Sequence, residues 1–145
     1  MSLSPEMCLR GVLGTLQNRI IPSLTDSFAG EDARLAGLVM TIATNSIDDA
    51  AAIRIAENKA IRALFGDAAG LALDAGLAGK LQAAAKAEGS GYRLSELDAD
   101  NAKLRGLLVE LHQAVEEQTG AAARVIDSHI WRLLKQFEAA RAPRR

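Results

Sequence analysis

One ten-residue pattern occurs twice in this chain, at residues 56–65 and 99–108. Both copies run alanine, acid, asparagine, two free positions, isoleucine or leucine, arginine, a small residue, leucine and a large apolar residue. The apolar positions recur at helical spacing, so each copy predicts an amphipathic helix. Each helix carries one asparagine on its apolar side, where an amide is costly unless it is hydrogen-bonded. The repeat therefore predicts two matching helices in the same core.

The two asparagines have a structural and a functional interpretation. In the structural one, Asn58 and Asn101 hydrogen-bond across the core and fix the helix register, while the repeated arginines reach acidic residues at the rim. In the functional one, the asparagines and arginines line a pocket for a small anionic ligand, because arginine offers forked donors to carboxylate or phosphate. Chance similarity between helices rich in alanine, leucine and arginine is the third possibility. The candidate ligand-binding residues are Asn58, Arg62, Asn101 and Arg105, and the rim acids are Glu57 and Asp100.

The composition favours helices over strands. Apolar residues make up 49% of the chain, but aromatic residues only 3%. Abundant alanine suits helices that pack closely over small side chains, whereas strands would need more valine, threonine and aromatic residues. A chain of 145 residues can bury a core without disulfides or metals. We expect an all-α, up-down helical bundle of four to six helices, forming a single domain over residues 1–145.

Local signals place several helix ends. Ser4 is a suitable N-cap and Pro5 a suitable first helical residue. The first helix is expected to end near Ile21, because Pro22 cannot donate to the backbone ladder. A second helix should start near Glu31. Asn45 and Ser46 are expected to break it from the third helix, and the alternative is that the two form one long helix. Residues 66–92 are expected to form an irregular or short-helix connection interrupted by glycines.

Apolar spacing also predicts which helix faces are buried. The second helix is expected to bury Leu35, Leu38, Val39 and Ile42, and the fifth to bury the seam Leu97, Asn101, Leu104, Leu108, Leu111 and Val115. The short connection near Gly120 predicts an antiparallel pair of last helices. Residues 141–145, which contain Arg141, Arg144 and Arg145, are expected to form a frayed tail.

Charge and cysteine usage limit the partners and the compartment. The net charge of −1 is spread along the chain, so we expect neither nucleic acid nor a membrane surface as a partner. The most apolar segment, residues 35–47, is too short to span a bilayer, and no secretion signal is visible. Cys8 is the only cysteine and is expected to be a small core residue in a reducing compartment. The expected location is the bacterial cytoplasm.

The candidate chemistry is sparse. His112 and Glu116, one helical turn apart, could hold a metal together with His129 from the next helix. Surface and boundary positions are the alternative for these histidines, because the paired Glu-x-x-His elements of di-iron bundles are missing. The sequence contains no Gly-x-Ser-x-Gly, phosphate-binding loop or Gly-x-Gly-x-x-Gly element, and Cys8 has no visible activating partner. We therefore predict no catalytic residue and no cofactor.

Several short motifs recur in a known group of proteins. They are Leu9-x3-Leu13, Ile20-Ile21-Pro22-Ser23-Leu24, Ala33-Arg34-Leu35-Ala36 and the two Asn-x-x-[Ile/Leu]-Arg-x-Leu elements, and they cover roughly residues 9–40 and the two repeat copies. On these motifs the chain resembles a group of small helical bacterial proteins of unknown function, often encoded beside aminoglycoside-phosphotransferase-like proteins and acyl-CoA dehydrogenases. The resemblance implies an accessory role near acyl-CoA or kinase-like metabolism and supplies no catalytic residue.

The sequence as a whole predicts an accessory or interaction protein. Several helices carry wide apolar stripes, so a face is expected to remain for a homodimer or another protein partner once one core is filled. The alternative is a bundle that binds a small anionic molecule, or an enzyme that uses the Asn/Arg or His/Glu side chains in its core.

Overall fold

The computed structural model describes residues 3–89 and 91–142, and this part of the chain contains six helices and no strand. The prediction of an all-α chain with four to six helices is confirmed. Helix α1 has three successive parts, an α-helix Pro5–Thr15, a π-helical turn Leu16–Ile20 and a last α-helical turn Ile21–Ser23. The others are α2 (Ser27–Ser46), α3 (Ala50–Asp67), α4 (Ala75–Lys86), α5 (Leu94–Glu116) and α6 (Ala121–Arg141).

Helix α1 starts as predicted and ends slightly later. The Ser4 hydroxyl accepts from the Met7 N–H at 3.2 Å, and Pro5 is the first helical residue. At the other end, the Ile21 N–H donates to the Leu16 carbonyl, five residues earlier. This π-helical turn interrupts the α-helical ladder just before Pro22, which then lies in the first turn of the last segment, where no backbone donor is needed.

The predicted break between the second and third helices is confirmed, because α2 ends at Ser46 and α3 begins at Ala50. The hydroxyls of Thr44 and Ser46 donate to the carbonyls of Met40 and Ile42, each at 2.7 Å. Such side-chain bonds to the carbonyl four residues earlier compete with the helical ladder. The polar end of α2 therefore supports the helix boundary.

The contacts of the described residues fall into two compact units, one up to Ala50 and one over Ala51–Ala142. The single domain expected over 1–145 stays a prediction. Within the described part of the chain, no helix has both the length and the apolar character that crossing a bilayer requires.

The N-terminal unit pairs α1 with the small-residue face of α2. The buried residues of α2 are Gly30, Gly37 and Thr44, which recur every seven positions. A Cβ at Gly37 would lie 3.6 Å from Cδ2 of Leu16, so the small residue lets the two helices approach closely. The expectation that Cys8 is a core residue was wrong, because it is exposed.

The predicted buried face of α2 was also wrong, since it is the exposed face. Leu35 is 61% exposed and Val39 is 60% exposed. Both lie two positions from Gly37, about 200° around the helix, so they point away from the side that packs on α1. Periodicity identified the apolar stripe, but the small residues opposite it make the contact. The whole stripe is Phe28, Leu35, Leu38, Val39 and Ile42, and all five are exposed.

The C-terminal unit has its core between α3, α4, α5 and α6. Its fully buried side chains include Ile61, Phe65, Leu111 and Ile130. The predicted seam of α5 is confirmed, because all six of its residues are buried. The antiparallel pairing of α5 and α6 is confirmed by three contacts that run in opposite order along the two helices: His112 with Asp127, Arg105 with Phe137, and Asn101 with Arg141.

The connection between α3 and α5 contains one short helix, as predicted. A 3-10 turn, Ala68–Gly70, precedes α4, which is capped by Asp74. The Asp74 carboxylate accepts from the N–H groups of Gly76 and Leu77, and the buried Leu81 joins α4 to the core. The loop after α4 is described except at Ser90, which lies outside the described residues.

Candidate functional site

The two copies of the repeat lie on α3 and α5, and their asparagines meet in the core of the C-terminal unit. Asn101 Nδ2 donates to Asn58 Oδ1 at 2.7 Å, and both residues are 5% exposed. The prediction that Asn58 and Asn101 approach each other is confirmed. Because each amide can both donate and accept, the pair satisfies polar atoms that would be costly to bury alone.

The remaining amide hydrogen bonds of the pair are reciprocal. Asn101 Nδ2 also contacts Glu57 Oε2 at 3.1 Å, and Asn58 Nδ2 contacts Asp100 Oδ2 at 3.3 Å. Each asparagine thus donates to the acidic residue of the other copy. Asn58 Nδ2 also lies 3.2 Å from the Leu97 carbonyl, which ties it to the first turns of α5.

The arginines of the repeat cross in the same way. Arg62 Nη2 contacts the two carboxylate oxygens of Asp100 at 2.9 and 3.0 Å, and Arg105 Nη2 contacts Glu57 Oε2 at 3.2 Å. The predicted pairing of the arginines with these acids is confirmed, but the expected rim position was wrong for Glu57, which is buried in the core. The acid, the asparagine and the arginine of each copy therefore all have a partner in the other copy, so the polar part of the pattern encodes how α3 and α5 recognise each other.

A third arginine, which the sequence did not point to, completes this cluster. Arg141 Nε contacts Glu57 Oε1 at 2.6 Å, and Arg141 Nη2 contacts Glu57 Oε2 at 2.7 Å. Arg141 was expected in a frayed tail, but it ends α6 and clamps Glu57, which is 2% exposed. Residues 143–145 of the expected tail lie outside the described residues. The available signal was spacing, because Arg141 follows the buried Leu133 and Phe137 at intervals of four.

Burial and hydrogen bonding act in opposite directions on the Glu57 carboxyl. Burial raises its pKa, but hydrogen bonds from Arg141 and Arg105, together with the two positive charges, outweigh burial and hold the pKa below its ordinary value. The same contact raises the pKa of Arg141. Glu57 is therefore an ionised acceptor of fixed hydrogen bonds, and this favours a structural role over proton transfer.

We name this set of seven side chains the polar cluster. It combines two carboxylates, two amides and three guanidinium groups, and one guanidinium also lies 5.4 Å from the Phe137 ring centroid as a cation–π contact. No hydroxyl or thiol nucleophile belongs to it. Its members are Glu57, Asn58, Arg62, Asp100, Asn101, Arg105 and Arg141.

A cavity of about 670 Å³ lies beside the polar cluster, entirely within the C-terminal unit. Asn58, Arg62 and Asp100 form its polar wall. The other walls are mainly small or apolar residues from α3, the segment after α4, and the start of α5. The predicted ligand-binding set is therefore divided, because Asn58 and Arg62 border the cavity while Asn101 and Arg105 are directed at Glu57.

Two of the three candidate metal residues, His112 and Glu116, lie close together, but His129 does not join them. His112 Nε2 lies 3.0 Å from Asp127 and 3.7 Å from Glu116, whereas His129 Nδ1 lies 3.7 Å from Asp67. Asp127 and His129 are two positions apart on α6 and so point to different sides of that helix. Among residues 3–89 and 91–142, no group of three or more histidine, cysteine or acidic side chains is arranged to hold a metal ion. The His112 ring instead packs edge-on against Trp131, with centroids 5.4 Å apart.

Comparison with known proteins adds no family to this geometry. No protein-family model, no curated protein and no solved structure matches the chain.

Proposed function

We propose that this protein acts by association, and that its N-terminal unit docks on the N-terminal unit of a second copy of the chain. The observation that carries this proposal is the exposed apolar stripe of α2. Phe28 is 82% exposed, and the four aliphatic residues after it along the stripe are exposed as well. Large contiguous apolar patches on a protein surface mark interaction sites.

The size of the stripe is appropriate for an interface. Its five side chains leave roughly 600 Å² accessible, and a stable interface buries about 800 Å² on each partner. Helix α1 packs on the side of α2 opposite to the stripe, so the stripe itself is the surface that a second copy would cover. Its accessible area is most of what one partner buries in a stable interface.

The distribution of charges along α2 supports the proposal that a partner covers its apolar stripe. Residues 35–46 contain no charged residue, and the charges of the helix lie in its first turns. Glu31 and Arg34 form an exposed ion pair there, 2.7 Å apart. Opposite charges at the edge of an uncharged stripe are self-complementary across a two-fold axis, because the acid of one copy can face the base of the other.

The weak interior of the N-terminal unit explains why the partner should be a second copy. Among its described residues, none of the large apolar side chains is fully buried, since the buried positions are two glycines and a threonine. Units of about 50 residues with little core usually need a further source of stability. A second copy of the same chain supplies it at equal concentration, because the exposed stripe of one α2 can be covered by the identical stripe of the other.

The test is the mass of the protein in solution. Light scattering after gel filtration at about 50 μM should give twice the chain mass of 15.3 kDa for a Cys8→Ser background, which excludes disulfide dimers. Leu35→Glu with Val39→Glu should give the monomer mass with helical circular dichroism retained. The matched control, Val109→Glu with Val125→Glu, alters exposed valines of the C-terminal unit and should stay dimeric. A monomeric parent protein, or a dimer in all variants, would contradict the proposal.

A further inference from the structure

The cavity beside the polar cluster has the size and construction of a small-molecule site. Its volume of about 670 Å³ is within the range of about 300–1,000 Å³ that such sites occupy. One continuous face of α3 forms a wall, with Ile55, Asn58, Arg62 and Gly66 following one another at helical spacing. The polar cluster holds Asn58 and Arg62 in fixed positions, so this wall is organised before any ligand arrives.

Gly66 lies in the α3 wall of the cavity and contributes no side chain to it. Glycine weakens a helix relative to alanine, so a helical glycine needs a reason. Gly66 has no left-handed backbone conformation, and nothing lies within 4 Å of a Cβ placed on it. Neither backbone geometry nor close packing within the described structure therefore requires glycine at this position. Its effect is to leave space in the α3 wall of the cavity.

The α3 wall of the cavity contains one hydrogen-bond donor that has no acceptor among the residues that the structure describes. The acceptors Asn58 Oδ1, both Asp100 oxygens and the Ala87 carbonyl are already occupied, the last by Arg62 Nε at 3.0 Å. Arg62 Nη1 is buried and has no hydrogen-bond partner within the described residues. A buried donor without a partner is costly, so an acceptor group of a ligand that reached Nη1 would gain a hydrogen bond that the protein itself does not supply.

The charges at the mouth of the cavity indicate what kind of acceptor fits. Lys59 borders the cavity, is exposed, and makes no ion pair within the described part of the chain. Arg62 and Asp100 neutralise each other at 2.9 Å, and the exposed Glu88 also borders the cavity, so among the described residues Lys59 is the unpaired cation that a ligand would meet there. We propose that the cavity binds a small carboxylate with an apolar body, its charged end toward Arg62 and Lys59 and its body against Ile55, Ala63 and Leu97.

The test uses 2-naphthoate as the probe and 2-naphthamide as its uncharged isostere. Titrations followed by amide NMR signals should show saturable shifts at Ala63, Gly66 and Gly91, with a Kd of about 1 mM for naphthoate. Naphthamide should bind at least about fivefold more weakly, because it lacks the charge. Signals of Gly37 and Gly120, which do not border the cavity, should not move.

Two glycine variants locate the binding. Gly66→Leu places a bulky side chain in the cavity and should weaken naphthoate binding about tenfold or more. Gly106→Leu is the matched control, because Gly106 is also a helical glycine with nothing within 4 Å of a Cβ placed on it, but it does not border the cavity.

A lysine variant tests the role of charge. Lys59→Gln should weaken the binding of naphthoate and leave the binding of naphthamide unchanged.

Three results would overturn the proposal: no saturable shift with naphthoate, equal affinity for naphthamide, or unchanged affinity in Gly66→Leu. The site lies wholly within the C-terminal unit, so the Leu35→Glu, Val39→Glu variant should bind naphthoate like the parent protein. Failure of ligand binding and failure of self-association are thereby observed separately.

Discussion

Replacing the buried carboxylate of Glu57 with an amide is the most direct test of the polar cluster. In Glu57→Gln the side chain keeps its shape but loses its charge and one acceptor oxygen. The carboxylate now accepts four hydrogen bonds: two from Arg141, one from Arg105 and one from Asn101. In the variant, one amide N–H₂ group must point at a guanidinium donor, so at least one contact becomes repulsive.

The expected loss follows from the burial of the three partners. Removing one partner of a buried ion pair usually costs about 3–5 kcal/mol. Arg105 and Arg141 keep 39% and 35% of their side chains exposed, so water partly replaces the lost contacts. We therefore expect the free energy of unfolding to fall by about 3 kcal/mol, the lower end of that range. This is a large fraction of the total of about 5–15 kcal/mol for a small protein.

Urea unfolding followed by circular dichroism at pH 7 measures this change. The matched control is Glu110→Gln, which alters an exposed carboxylate 2.8 Å from Lys80 in the same unit and should change stability by less than about 0.5 kcal/mol. If Glu57→Gln were no more destabilising than Glu110→Gln, the Glu57 carboxylate would not hold α3, α5 and α6 together, and the reasoning would be refuted.

The pH dependence provides a second check on Glu57. Its pKa is lowered in the folded protein, so its contribution to stability is complete above the unfolded-state pKa of about 4.3 and is lost as the pH falls through the lower folded-state pKa. The stability difference between the parent protein and Glu57→Gln should therefore be constant above about pH 5 and shrink below about pH 4. A difference that grew in acid would contradict the sign of this pKa shift.

Two further substitutions test other parts of the cluster. Arg141→Ala should lower the free energy of unfolding in urea by about 2 kcal/mol, because Glu57 then keeps only Arg105 and Asn101 as partners. The control, Lys135→Ala on the exposed side of α6, should change it by less than about 0.5 kcal/mol. Equal effects of the two substitutions would place Arg141 in a frayed helix end. Asn101→Leu should destabilise the protein by about 1 kcal/mol more than Asn58→Leu, because Arg105 and Arg141 both donate to Asn101 Oδ1 and would lose that acceptor. Thermal melts in which Asn58→Leu was the less stable variant would contradict this geometry.

The sequence predicted the part of the fold in which pattern and packing agree. The seam of α5 was identified correctly because each of its six apolar or asparagine positions faces the same core. The asparagine pair was predictable because a buried amide needs a partner and the repeat offered one. In α2 the same periodicity indicated the wrong face, since Gly37 contacts Leu16 of α1 while the large side chains on the opposite face stay exposed.

The cavity and the third arginine could not be predicted with the same reasoning. The cavity joins α3 to the segment after α4 and to the start of α5, and no local pattern shows that these segments enclose space. Arg141 contacts a carboxylate 84 positions away, and its neighbouring arginines favoured the interpretation of a charged helix end. Both features depend on tertiary contacts, and the sequence pattern carries no direct signal for them.

The distance along the chain between Glu57 and Arg141 has a consequence for folding kinetics. Closing a loop of 84 residues carries a larger entropic cost than forming the contacts between α5 and α6, such as His112 with Asp127, 15 residues apart. Pairing of α5 with α6 should therefore precede formation of the Glu57–Arg141 contact, so we expect this contact to be absent from the transition state for folding. Weakening it then accelerates unfolding and leaves the folding rate nearly unchanged. We therefore expect the Glu57–Arg141 contact to set the unfolding rate of the C-terminal unit, and with it the lifetime of the folded state.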